Sequence, residues 1–139
     1  MEKWRGYDVI VITGTTDASG DAVVTTGQKN IVGEVVAVVV DGTLLSDGAD
    51  LDLNPVYIGV DGSTVILGAD IIDNEDVGNA TLNEFYPRLF EQDIAGADIN
   101  VATNTKVTTR FALGGCALRV TVANGGATKA FKVWVVVAM

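Results

Sequence analysis

Histidine is missing from this chain, and cysteine occurs once. The first absence removes the usual base of a serine or cysteine nucleophile and the usual nitrogen ligand of zinc and copper sites. The second excludes an intramolecular disulfide, and with it a small scaffold held by bridges. Aromatic residues make up 6% of the chain, too few for a series of base-stacking platforms. Apolar runs such as 35–40 and 133–138 have strand length, far short of the roughly 20 residues of a membrane-spanning helix. The start, Met1-Glu2-Lys3-Trp4-Arg5-Gly6-Tyr7-Asp8, has mixed charge and no apolar core of the secretory kind. The expectation is a protein made in the cytoplasm, with no membrane partner.

Positive charge is also scarce. Nine basic residues face 18 acidic ones, for a net charge of -9. Such a charge repels nucleic acid at long range, so no nucleic-acid partner is expected. The distribution is uneven. From Asp41 to Asp98 there are thirteen acids and one base, Arg88. After Asp98 there are no acids, while Lys106, Arg110, Arg119, Lys129 and Lys132 supply five positive charges. A basic end of this kind can meet an acidic partner or the acidic region of a neighbouring copy.

What the chain has in quantity is Val, Ile and Thr in short runs punctuated by Gly, Asn and Asp, the pattern of strands and turns. Residues 7–13 read as a first strand with a buried character, 22–26 as a second, and 31–41 as a long one. In the long strand Glu34, Val36, Val38 and Val40 share one face, and Val35, Ala37 and Val39 the other. Residues 44–52 and 69–80 read as acidic surface loops. Between 55–60 and 63–67, Asp61-Gly62 has the signature of a two-residue hairpin turn. Residues 81–90 read as a strand interrupted at Pro87, with a short helix as the alternative from the spacing of Leu82, Phe85, Tyr86 and Leu89. The last third alternates clearly. Val107, Thr109 and Phe111 share a side; Cys116, Leu118, Val120 and Val122 face inward; so do Phe131, Val133, Val135 and Val137. With turns at Gly114-Gly115 and 124–126, this reads as a β-meander.

About eight strands and little helix predict an all-β fold. A half-buried sheet without helices covers its apolar face with a second sheet, so the expectation is an antiparallel, jelly-roll-like β-sandwich. At 139 residues the chain makes a single domain, 1–139, with residues 1–6 as a contact arm.

Chemistry is thin. Gly14 and Gly20 bracket a segment without the Lys-Ser/Thr ending of a phosphate-binding loop. Cys116 falls on an inward strand position, where free cysteine acts as a small hydrophobe. Glu34, Glu84 and Glu91 are the candidate carboxylates for a hydrolase, and each reads more simply as an outward or edge residue. Asp47, Asp50 and Asp52, and the run Asp73-Asn74-Glu75-Asp76, cluster oxygens of the type calcium binds but lack the EF-hand spacing. The expectation is therefore a protein that is not an enzyme, with no cofactor and no metal. Trp134 lies opposite the inward stripe of its strand, beside Lys132 and Val136. Tryptophan and arginine anchor interfaces. Trp4, Tyr7, Arg88, Arg110, Arg119, Lys132 and Trp134 are the expected contact residues.

Three stretches resemble a known group. They are Gly33-Glu34-Val35-Val36-Ala37-Val38, then Phe85-Tyr86-Pro87-Arg88, then Asp93-Ile94-Ala95-Gly96-Ala97. With Leu113-Gly114-Gly115-Cys116 running on to Asn124, and Lys132-Val133-Trp134-Val135, they resemble small β-sandwich virion proteins encoded near the capsid genes of tailed bacteriophages. The resemblance covers residues 31–138. It implies a capsid decoration (cement) protein that binds the major capsid protein or other virion proteins from outside the head, as a homo-oligomer with a trimer favoured. A tail or head-tail connector subunit, and a receptor- or carbohydrate-binding sandwich module, are the competing expectations.

Overall fold

A computed structural model describes residues 6–79, 82–90, 95, 97, 100–102, 105–106 and 108–139. Trp4, Glu91, Asp93 and most of the expected contact arm lie outside the described residues. The described residues contain thirteen strands and no helix, where about eight strands were expected. The strands are β1 (Tyr7–Thr15), β2 (Ala22–Thr25), β3 (Ile31–Asp41), β4 (Asp50–Ile58), β5 (Val65–Leu67), β6 (Ile72–Asp76), β7 (Asn83–Phe85), β8 (Leu89–Phe90), β9 (Asn100–Ala102), β10 (Thr105–Lys106), β11 (Thr108–Thr109), β12 (Phe111–Ala123) and β13 (Ala130–Ala138). The extra strands are mostly two- and three-residue pieces.

Nine strands form one hydrogen-bonded path, β1-β13-β3-β12-β4-β5, with β2 also on β12, β6 on β4 and β7 on β3. β12 divides this path into two layers. Its first part pairs with β3 from Phe111↔Val35 to Cys116↔Ile31. Its second part, Ala117–Ala123, lies between β4 and β2. The bend falls at Gly114-Gly115, where the register slips by one residue and Gly115 adopts φ 90°. An extra residue in one strand bends it and tightens its twist, and glycine accepts the positive φ without strain. The expected turn at Gly114-Gly115 is thus a bulge inside one thirteen-residue strand.

The expected C-terminal meander is corrected too. β12 and β13 do not pair; β3 stands between them. The alternation within each strand nevertheless holds. Phe111, Leu113, Cys116, Leu118, Val120 and Val122 of β12 are buried, as are Phe131, Val133, Val135 and Val137 of β13. Facing them are Ile10 and Ile12 of β1, Val35, Val38 and Val40 of β3, and Leu51 and Leu53 of β4, all in one core. A second bulge explains the face assignment of β3. Val136 pairs with Ala37 but Val137 pairs with Val35, so Val36 is the extra residue. Parity switches there, and Val35 shares the core with Val38 and Val40 rather than standing opposite them.

Other boundaries shift for local reasons. Residues 50–52 belong to β4 rather than a loop, because Leu51 and Leu53 are buried while Asp50 and Asp52 are only partly so. The expected loop 69–80 contains β6, which pairs with β4. β1 is not buried on both sides: Val9 and Val11 are about half exposed, at 52% and 50%. Pro87 does interrupt its segment, with β7 before it and β8 after it. Thr16 ties the chain reversal before β13 to the end of β1. Its hydroxyl donates to Gly126 O at 2.5 Å and accepts from Lys129 N at 2.8 Å.

The β4–β5 hairpin pairs Ile58 with Val65, so its connection is six residues long rather than two. Asp61 organises it. Its carboxylate accepts from Thr64 Oγ1, from Thr64 N at 2.8 Å and from Ser63 N at 3.0 Å. These bonds favour the ionised form, led by the Thr64 hydroxyl, and draw the Asp61 pKa down to about 2.

Two outcomes follow. Gly33 has φ 137°, and a Cβ there would lie 2.3 Å from the backbone oxygen of Ala138. Gly33→Ala should therefore cost about 2–4 kcal/mol, read as a lower denaturation midpoint; an unchanged midpoint contradicts this packing. A carboxylate whose folded pKa is depressed stabilises the fold above its unfolded value and loses that effect as pH falls toward the folded value. Titration of Asp61 followed by NMR should show a midpoint near 2, with Ser63 and Thr64 amide protection lost as pH falls through about 2. A midpoint near 4 contradicts the capped turn.

Candidate functional site

The β1-β13-β3 layer has an inner face in the core and an outer face that no described element covers. The outer residues follow from parity. Ile10 and Ile12 point inward, so Tyr7, Val9, Val11 and Thr13 point outward. The ladders then set three rows across the sheet. Val9 is opposite Val136, which is opposite Ala37. Val11, Trp134, Val39 and Glu84 of β7 form the next row. Thr13, Lys132 and Asp41 form the third.

The first two rows are apolar from β1 to β3, and Tyr7, Val9 and Val11 are each at least half exposed. Charge lies at the margins. Lys132 Nζ sits 4.9 Å from the centroid of the Trp134 ring, a cation–π contact that fixes the indole against the sheet. Asp41 receives the Thr43 hydroxyl at 2.6 Å and the Thr43 N–H at 3.1 Å. These bonds, helped by the Lys132 charge, hold its carboxyl below the usual range. The margin therefore stays ionised while the centre carries no charge, which is the layout of an interface core and rim.

The structure gathers three of the expected contact residues, Tyr7, Lys132 and Trp134, on this face. Arg119 is elsewhere, on the other layer beside Thr25, to whose Oγ1 its Nε donates at 3.1 Å. There it borders a 550 Å³ groove with Lys29, Tyr57, Ile58 and Val65. Arg88 is exposed between β7 and β8, and Arg110 immediately precedes β12. The β8–β11 ladder, Leu89↔Thr109, brings those two backbone positions close together. Trp4 lies outside the described residues.

Sequence reasoning missed two exposed apolar features. One is the pair Val9 and Val11, which merged into an apolar run with their buried neighbours. The other is the β4–β5 hairpin, where Ile58, Val60, Val65, Ile66 and Leu67 are exposed. Apolar residues at both parities of 56–67 were its signal.

The candidate reactive groups stand apart. Glu34 and Glu84 are exposed, and Glu84 Oε2 accepts from the Tyr86 hydroxyl at 3.2 Å. Cys116 is buried, and burial pushes its thiol pKa up, which keeps it un-ionised. Asp50 is opposite Asp76 across the β4–β6 ladder, and the Asp52 carboxylate accepts from Asn74 N at 2.8 Å. Among the described residues no three acidic or cysteine side chains are grouped to hold a metal ion.

No family model matches the chain, and no curated protein matches it. Solved structures of virus particles do. A chain of infectious bursal disease virus, Gx strain, is 14% identical with a TM-score of 0.44, over 95% of this chain and 32% of its own length. The Gt strain chain is 17% identical with a TM-score of 0.47, over 94% and 31%. A chain of the T13 particle of the same virus is 15% identical with a TM-score of 0.51, over 95% and 31%. The chain thus spans about a third of the length of the particle chains it matches. The T13 match shows a shared all-β fold.

Proposed function

We propose that this chain is a structural protein of a virion, of the decoration or cement type, which binds the particle shell from outside and associates with copies of itself. The observation that carries this reading is the outer face of the β1-β13-β3 layer, an apolar surface with Tyr7, Val9 and Val11 exposed, Trp134, Val136 and Val39 half-buried, and Lys132 and Asp41 at its border. Contiguous exposed apolar residues on a folded chain mark contact surfaces. The occurrence of the same fold in a chain of the T13 virus particle supports it.

In this reading the protein works without chemistry. Its valine-rich core makes a stiff body, and stiffness limits the ordering entropy lost on binding. The net charge of -9 keeps it off packaged nucleic acid. Lys132 at the border of this face supplies positive charge for partner acids, where charge mainly steers the encounter; Arg88, Arg110 and Arg119 lie away from it.

Particles purified by density gradient from the virus that encodes this chain should contain it in a fixed ratio to the main shell protein. It should also be reached by antibody on intact particles. Absence from purified particles contradicts the reading. Trp134→Ala should weaken shell binding about tenfold or more with the folded circular dichroism spectrum retained; full retention of affinity would show that this face is not the contact.

A further inference from the structure

β1 is an edge strand among the described residues, where it pairs only with β13. Met139 N donates to Gly6 O at 2.6 Å, and Thr16 N donates to Lys129 O at 2.9 Å. Antiparallel partners alternate between hydrogen-bonded and non-hydrogen-bonded pairs. The even-numbered residues of β1 therefore bond to β13. Val9, Val11 and Thr13 turn their N–H and C=O groups to the open side, beside a 410 Å³ cleft between β1 and residues 24–28. The Val9 N–H confirms the parity, since it is held by its neighbour's carboxylate, Asp8 Oδ1, at 2.9 Å.

We propose that β1 is a self-pairing edge: two copies join antiparallel about a two-fold axis at Val11, with Val11 opposite Val11 of the second copy and Val9 opposite Thr13. This deepens the assembly reading above and rests on it. The edge is complementary to itself, because Val9, Val11 and Thr13 each offer one donor and one acceptor in a palindromic order. Strand addition at an exposed edge is a general mode of association, and a two-fold contact uses the same patch on both partners. The pairing makes the two outer faces continuous, with Val11 beside Val11, Val9 beside Thr13 and Tyr7 beside Thr15 of the second copy.

Charge permits it despite the net -9. Asp8 would lie opposite Gly14 of the other copy, so the two Asp8 residues sit about 20 Å apart along the strands, beyond the screening length of about 8 Å. Asp8 has a second effect. By holding the Val9 N–H it competes with the incoming carbonyl and weakens the contact. The elementary contact is thus two-fold, unlike the trimer that the sequence resemblance implies.

The full-length chain should show a monomer–dimer equilibrium by analytical ultracentrifugation. Val11→Cys should form a covalent dimer on mild oxidation, because hydrogen-bonded antiparallel pairs bring Cα atoms to about 5.5 Å. Val9→Cys should not, because its symmetry mate is four residues away along the strand. Val11→Pro removes only an open-side donor, so it should leave the fold's circular dichroism unchanged and abolish dimerisation; Val11→Lys serves as a second edge-blocking variant. Asp8→Ala should tighten the dimer about three- to tenfold. A trimer, or association unaffected by Val11→Pro and Val11→Lys, overturns the edge pairing while leaving the assembly reading intact. A chain monomeric at every concentration overturns the self-association part of both.

Discussion

The two layers share one strand, and the rest of the molecule depends on how that strand bends. β12 leaves β3 at Gly114-Gly115 and enters the space between β4 and β2 within a few residues. This keeps its buried side chains, from Phe111 through Leu118 to Val122, in one continuous core. Without the bulge, the strand's parity would place Cys116, Leu118, Val120 and Val122 on the outside, since a one-residue slip moves every side chain to the other face. Gly115 with its positive φ is the local device. The reward is burial of a valine- and leucine-rich set from both layers, the dominant favourable term in folding.

That arrangement leaves its mark on the surface. With the sheet interior filled, Ile10 and Ile12 of β1 and the odd residues of β13 are committed inward. Tyr7, Val9, Val11, Trp134 and Val136 are left facing out. The acids concentrate elsewhere, on β4, β6 and the turns between them. A strongly acidic chain thus presents an apolar face here, apart from the exposed β4–β5 hairpin, with Lys132 Nζ over the indole of Trp134 at its border. Repulsion between acidic surfaces opposes indiscriminate sticking, and in the proposed assembly association uses the face whose centre carries no charge.

Much of this was legible in the residues. The alternation of 116–122 and 131–137 named the inner face of β12 and β13 correctly, and Trp134 could be placed on the outer face from parity alone. Pairing was less legible. Consecutive strands usually neighbour each other, and that tendency points to a β12–β13 hairpin. The actual partner of both is β3, roughly 80 to 100 residues earlier, and short-range pattern carries no information about it. Bulges were hidden for a related reason: Val36 is chemically identical to the valines around it, so nothing in the run announces the parity change. At β4 the alternation of Leu51 and Leu53 with Asp50 and Asp52 was present, but the acidic composition masked it. β6 has one buried residue, Ile72, and is held by backbone bonding that leaves no side-chain pattern.

The central claim is that the β1-β13-β3 outer face and its β1 edge are where this protein meets its neighbours. Hydrogen exchange, compared between the free chain and the assembled particle, tests it most directly. In the free chain the amides of Val11 and Thr13 should exchange quickly and those of Ile10 and Ile12 slowly. In the assembly Val11 and Thr13 should become protected, while the β4–β5 hairpin keeps its free-chain rates. Protection confined to the hairpin, with Val11 and Thr13 unchanged, would contradict the account.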